Sequence, residues 1–277
     1  PRRGPDPPKE YSSLSQGTLV MPAHRICVLA LLLFRLSPAL AGDLPLPAGL
    51  AVSPGGPPEN ILRAFTGIPY RTDGVIDEEG RYVLFARPES RQKTPGLNCS
   101  GLVLAAARFL FQRNITLAEA GRDRLGDSGP GSPHGLDWDL GWDLILNISE
   151  GLPRLFLLPG NASLAAEEAT PSSPRGFDLH APATWRELFS RIRPGHVYLL
   201  SFNKETARGG QLRHYHVAVL SLDEGGDLWL HQTTGAARFS YGRNLSRPEN
   251  LALFLRGFAN SGTGRKYILV LEVRLPP

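Results

Sequence analysis

Along this chain the apolar positions fall first at helical and then at strand spacing. In ENILRAFTGIPY, Ile61, Leu62 and Phe65 share one face of a predicted helix that Gly67 and Pro69 bring to an end. CSGLVLAAARFLFQRNI, from Cys99, places Leu102, Ala106, Phe109 and Leu110 on one face, and almost every other position is apolar too. That pattern predicts a helix buried on all sides. TWRELFSRIRPG reads as a short helix stopped at Pro194-Gly195. The spacing then changes. HVYLLSF, HYHVAVLSL, DLWLHQTT and KYILVLEVRL are short, β-branched or aromatic runs, separated by turn residues such as DEGGD. RPENLALFLRGFA, between the last two, has helical character. Helices first and strands later predict an α+β domain with an antiparallel sheet.

Three stretches lack this periodicity. Residues 42–58, GDLPLPAGLAVSPGGPP, read as a linker. RTDGVIDEEGRYVLFARPESRQKTPG is a loop-rich approach to Cys99. Residues at about 121–183 read as a long insertion, in which LDWDLGWDLILNI lies between the loops GRDRLGDSGPGSPHG and EEATPSSPRG. The insertion is expected to cover or reshape a cleft. The start of the chain reads as a leader. Residues 1–20 are an upstream extension, and from Met21 a basic stretch (His24, Arg25), an apolar run (Ile26 to Phe34) and the small-x-small site Ala39-Leu40-Ala41 follow one another. This is the order of a secretory signal peptide, and the run is shorter than the roughly 20 residues of a membrane span. The division expected is therefore 1–41 extension and signal peptide, 42–58 linker, and 59–277 catalytic domain with its insertion.

The leader changes the reading of charge and of thiols. The whole chain of 277 residues carries a formal +4, but 1–41 hold five Lys/Arg and two acids, which leaves 25 bases and 24 acids beyond them. A near-neutral domain gives no electrostatic reason to expect nucleic acid. Of the two cysteines, Cys27 leaves with the signal peptide, so Cys99 is the one thiol of the exported chain and has no internal partner.

Position 99 suits a reactive thiol. The open N–H groups and dipole of a helix start favour an anion there, and the Cys99 N–H is placed to bind a developing oxyanion. The remaining need is a base. His134 and His180 fall in the insertion, and His196 begins a strand. His214 and His216 are two apart on one strand, so a regular pleat turns both the same way and either can serve. His216 is chosen because it sits deeper in the apolar run before Val217-Ala218-Val219, whereas His214 follows Arg213 and becomes a rim residue that touches substrate. His231, on the next strand, is placed to hold the ring.

TGIPYRTDG, NCSGLV, RPGHVYLLSF, HVAVL and LWLHQ, in this order, resemble the NlpC-type cell-wall peptidases, a papain-like family of cysteine hydrolases. The resemblance spans most of residues 60–235. It implies a papain-like NlpC-type fold, with N-terminal helices packed on an antiparallel β-sheet. It also implies Cys99 as nucleophile, His216 as base and His231 as third member, with Tyr70, Asn98 and Ser100 at the substrate beside the rim residue His214, and no cofactor. Asn98 stands where the family has an Asp that binds the free amine of a stem peptide. His196 replaces the Asp of the family's P-G-D turn and receives no role.

The expected function is an exported hydrolase, in the periplasm or cell envelope, that cuts amides in peptidoglycan stem peptides through a thioester. The expected state is a monomer with no stable membrane anchor once the leader is removed. Two alternatives stay open: a thiol hydrolase of another amide or ester, and an inactive module that binds cell-wall peptide or protein. LDWDLGWD carries Asp137, Asp139 and Asp143, but their spacing fits no calcium loop and no metal is expected; a surface helix or a sugar-contacting Trp patch is the preferred reading.

Overall fold

The near-continuous apolar runs of the C-terminal half are strands buried on both faces. In the computed structural model, which describes residues 44–132, 135, 138–206, 212–258 and 264–277, the chain orders as α1 (Pro58–Ala64), β1 (Gly74–Ile76), β2 (Tyr82–Leu84), β3 (Arg87–Arg91) and α2 (Cys99–Leu110). Next come α3 (Leu117–Ala120), α4 (Leu140–Ile148), β4 (Arg154–Leu158), β5 (Ala162–Ala165), β6 (Phe177–Asp178) and α5 (Pro182–Arg191). The last part is β7 (His196–Glu205), β8 (Leu212–Leu222), β9 (Leu228–Thr233), β10 (Ser240–Asn244), α6 (Pro248–Gly257) and β11 (Lys266–Arg274). The leader expected over 21–41, with Cys27, lies outside the described residues, as do His134 and Asp137. No helix among the described residues is long and apolar enough to cross a membrane.

The main sheet runs β10-β9-β8-β7-β11-β4-β5, with β6 added on β11, and its pairings are antiparallel. The α+β class with a large antiparallel sheet is therefore what the molecule has. Alternation along each strand divides the core in two. Val197, Leu199, Val217, Val219, Leu269 and Leu271 meet α1, α2 and α4 on one face. Tyr198, Leu200, Phe202, Ala218, Leu220 and Ile268 meet α5 and α6 on the other. Helices cover both faces, so both sets of alternate residues are mainly apolar.

Residues 121–183 are built into the core, and Leu140 and Gly141 among them also line a cavity beside Cys99. Their helix α4 is buried in the first core layer, and β4 pairs directly with β11. LDWDLGWDLILNI is apolar because it forms part of the core. Its two tryptophans are 5% and 3% exposed, so the expected surface helix or sugar-contacting Trp patch is replaced by a buried one.

The first turn of α2 is fixed against the small sheet β1-β2-β3. Asn98 caps it, its Oδ1 accepting from the Gly101 N–H at 2.7 Å, while the Asn98 N–H donates to the Gly74 carbonyl at 2.8 Å. Gly101 must lack a side chain, because a Cβ there would lie 2.2 Å from the Gly74 carbonyl oxygen, a backbone atom that cannot swing away. Gly101→Ala is expected to destabilise the protein by about 2–4 kcal/mol, by displacing the helix start. Urea unfolding checks this; an unchanged midpoint would mean that the helix does not depend on this close approach.

Candidate active site

β8 is interrupted by a bulge, and the bulge sorts its two histidines. On β7, Ser201 pairs with Val217 and Phe202 with His216, but Asn203 pairs with His214, leaving Tyr215 without an opposite residue. One extra residue reverses the alternation, so His214 and His216 point to opposite faces rather than the same one. His216 lies on the α6 face, its ring 5.1 Å from Phe202 and 5.7 Å from Phe258. His214 turns to the α4 face, where Ser201 Oγ meets its Nδ1 at 2.8 Å and its Nε2 meets the Pro171 carbonyl at 2.7 Å.

His214 is therefore not a rim residue. It is 2% exposed, and its backbone N–H also donates to the Trp138 carbonyl. A carbonyl accepts only, so Nε2 carries the proton and Nδ1 accepts from the Ser201 hydroxyl. This is a neutral imidazole, and burial pushes its pKa down to about 4. It ties residues 138 and 171 to the sheet.

The structure brings Cys99, Ser100, His216 and Tyr70 together. Cys99 is half-buried at the first position of α2 and hydrogen-bonded to the His216 imidazole. The other ring nitrogen, Nε2, donates to Gln232 Oε1 at 2.7 Å, and Gln232 Nε2 donates to Tyr241 Oη at 2.7 Å. With Nε2–H held by the amide, Nδ1 is the nitrogen left to face the thiol. Burial would raise the Cys99 pKa, but the His216 charge and hydrogen bonds from His216, the Val217 N–H and Ser100 outweigh it and bring it down to about 7. For His216, burial acts downward; the Cys99 charge and hydrogen bonds to Cys99 and Gln232 prevail and raise its pKa. The Cys99 N–H, first of the helix, has no hydrogen-bond partner among the described residues and is open to an oxyanion.

His231 does not hold the His216 ring. It pairs across from Val219 and so shares that residue's face, opposite to His216. Its Nε2 lies 2.8 Å from Glu59 Oε2, which also accepts from Ser221 Oγ, while Glu59 Oε1 accepts from Arg63. Burial would raise the Glu59 carboxyl; its bonds to His231, Arg63 and Ser221 hold it below the usual carboxylate range. The ring-holding residue is the adjacent Gln232. The strand register, which periodicity alone does not give, is what assigns it. Leu222 pairs with Leu228 and Leu220 with Leu230, so even-numbered residues of both strands share a face, and Gln232 lies diagonally from His216.

Tyr70 is placed by a parallel bridge to Leu97 and by its N–H, which donates to the Arg238 carbonyl. It lines a cavity of about 570 Å³ with Cys99, His216, Gln232 and Tyr241. A second cavity, of about 220 Å³, lies behind the thiol beside Asn98, Ser100, Gly141 and His214. Asn98 serves the helix start with its Oδ1.

Of the acids in the expected cluster, Asp139 and Asp143 are buried, and Asp123 joins them, with carboxylate oxygens all within 4.8 Å. Ser128 donates to Asp139 and the Arg124 N–H to Asp143. Burial, then the Asp139 charge, pushes Asp143 up to about 7. Near neutral pH it takes a proton readily, which relieves the repulsion, and no metal is assigned there.

No family model and no curated protein matches this chain. Among solved structures it is similar to the crystal structure of protein LPG0564 from Legionella pneumophila str. Philadelphia 1, family-model DUF1460. The identity is 13% and the TM-score 0.46, over 79% of this chain and 89% of that one.

Two outcomes follow from this geometry. Alkylation of Cys99 against pH should titrate near 7 and move upward in His216→Ala. Gln232→Ala should also slow it, by roughly tenfold. His231→Ala should leave the titration in place while costing about 3 kcal/mol of stability or more, because Glu59 loses a buried partner. The reverse pattern for Gln232 and His231 would overturn the assignment. The second outcome concerns His214. Its folded pKa is depressed from 6.5 to about 4, so between these values the unfolded chain binds a proton that the folded chain does not. Stability should therefore fall as pH drops from 6.5 to 4, by on the order of 3 kcal/mol from this group. Urea midpoints across that range should fall less steeply in His214→Gln than in wild type; parallel curves would contradict a neutral buried imidazole.

Proposed function

We propose that the chain is an exported cysteine hydrolase with a papain-like, NlpC-type fold, cleaving amide bonds in peptidoglycan stem peptides through a thioester. The observation that carries this reading is the hydrogen-bonded series Cys99–His216–Gln232 at the open start of a helix, facing a cavity. A thiol held near pKa 7 beside a tautomer-fixed imidazole is an activated nucleophile with its base in place. The substrate class and the export come from the ordered motifs and the leader of the sequence.

The chemistry runs in two halves. His216 Nδ1 takes the thiol proton as the sulfur attacks the amide carbonyl. The oxyanion is received by the Cys99 N–H. As the intermediate collapses, the C–N bond breaks and the imidazolium gives its proton to the departing nitrogen, leaving a thioester. Water, deprotonated by His216, then attacks the same carbon; the C–S bond breaks, the acid is released and the thiol regains its proton. Gln232 keeps Nε2 protonated throughout, so that Nδ1 remains the base. Asn98, neutral and engaged with Gly101, does not offer the acidic partner for a free amine that the family uses, so recognition of the substrate rests on other groups.

Purified protein and a Cys99→Ala form, incubated with peptidoglycan fragments, test the proposal by mass spectrometry. The expected result is paired products, one with a new carboxyl and one with a new amine, from wild type alone. Equal products from both forms remove Cys99 as nucleophile, and none from either removes peptidoglycan as substrate.

A further inference from the structure

Gln232 is an amide with two unlike ends, and the base depends on which end meets the ring. It is 1% exposed, so both ends need partners. Its Oε1 accepts from His216 Nε2, and its Nε2 donates to Tyr241 Oη, each at 2.7 Å. Turned end for end, the amide would donate to His216 Nε2. The ring proton would then sit on Nδ1, facing the sulfur, and the base would be lost. Tyr241 stands directly across from Gln232, on the outermost strand of that side of the sheet. The segment that carries Tyr70 clips this strand in place: the Gly67 N–H donates to the Ser240 carbonyl and the Ser240 N–H to the Ile68 carbonyl. The ring has supports of its own, with Phe239 edge-on at 6.3 Å and the Arg243 guanidinium 5.5 Å from its centre.

A hydroxyl that accepts from an amide has its own proton to give elsewhere. Among the described residues Tyr241 Oη donates to nothing, and Tyr241 lines the large cavity, so that proton is left for an acceptor there. Every donor in the series then points the same way, from His216 through Gln232 to Tyr241 and on into the cavity, and hydrogen bonds aligned in this way strengthen one another. We infer that Tyr241 is a positioning residue for the base: by accepting from Gln232, its hydroxyl keeps the amide oxygen at the ring and so leaves Nδ1 free for the thiol. Naming His216 a base rests on the proposed hydrolase; the hydrogen-bond series does not depend on what is cut.

The ¹⁵N shifts of the His216 ring, read at alkaline pH in the Cys99→Ala form so that sulfur does not bias it, give the ratio of the Nε2–H to the Nδ1–H tautomer. Adding Tyr241→Phe, which keeps the ring and removes the acceptor, should lower that ratio about fivefold, the worth of one neutral hydrogen bond. In a Gln232→Glu background the same substitution should leave the ratio within about twofold, because a carboxylate only accepts and needs no partner to orient it. A ratio unmoved by Tyr241→Phe when Gln232 is intact, or an equal fall in the Gln232→Glu background, overturns the inference. With Cys99 present, alkylation by iodoacetamide should slow about threefold in Tyr241→Phe, and no further when Tyr241→Phe is added to Gln232→Ala. Effects that multiply would show that Tyr241 acts through packing, and would overturn it too. Should Tyr241→Phe fail to fold, Tyr241→Met, which fills the space without a hydroxyl, is read by the same outcomes. A tautomer ratio that answers to Tyr241, in a protein that leaves peptidoglycan fragments uncut, would sink the proposed substrate and leave this role standing; cleavage by wild type with an unmoved ratio would do the reverse.

Discussion

β8 and β9 stop pairing at Val219↔His231, although both strands continue, and the Cys99 sulfur accepts the Val217 N–H that lies beyond the last pair. The site depends on that opening. Cys99 rides on a helix packed against one face of the sheet, while His216 belongs to the other. A closed ladder would keep the two apart. Where it opens, the helix start reaches the end of the sheet, and sulfur and imidazole come into hydrogen-bond contact. A buried thiolate would be costly by itself; the imidazole charge and three hydrogen bonds are what make a pKa near 7 attainable in that position.

The surroundings hold this junction in place from three sides. The close contact of Gly101 with Gly74 fixes the height of α2, and the Asn98 cap fixes its first turn. The bulge at Tyr215 separates the tasks of two neighbouring histidines, leaving His216 at the cavity and committing His214 to carbonyl and hydroxyl partners in the core. Glu59 and His231 join α1 to β9 from the opposite face, one residue away from Gln232. A displacement of β9 would move Gln232 and with it the tautomer of the base.

Much of this was legible in the sequence, and the failures have a common origin. The helix from Cys99, the four long strands and the α+β order follow from periodicity, which is robust in long apolar runs. Tyr70, Cys99, Ser100 and His216 meet as their order along the chain suggested. What periodicity does not carry is register. His231 and Gln232 are neighbours that face opposite ways, and only the cross-strand pairing of Leu222 with Leu228 decides between them. A bulge leaves no mark in the alternation of HYHVAVLSL, so His214 was placed on the wrong face. Residues 121–183 looked like an addition because their loops are rich in Gly and Pro, yet α4 and β4 are core elements with long-range partners that no local pattern announces.

Cys99 and His216 form one coupled unit, with Gln232 fixing the ring. The ¹⁵N NMR titration of the His216 imidazole, in wild type and in Cys99→Ala, tests it most directly. The imidazole pKa should be raised by the thiolate and fall when the sulfur is removed, with the proton of the neutral ring on Nε2 in both forms. A His216 titration indifferent to the loss of Cys99, or a neutral ring protonated on Nδ1, would contradict it.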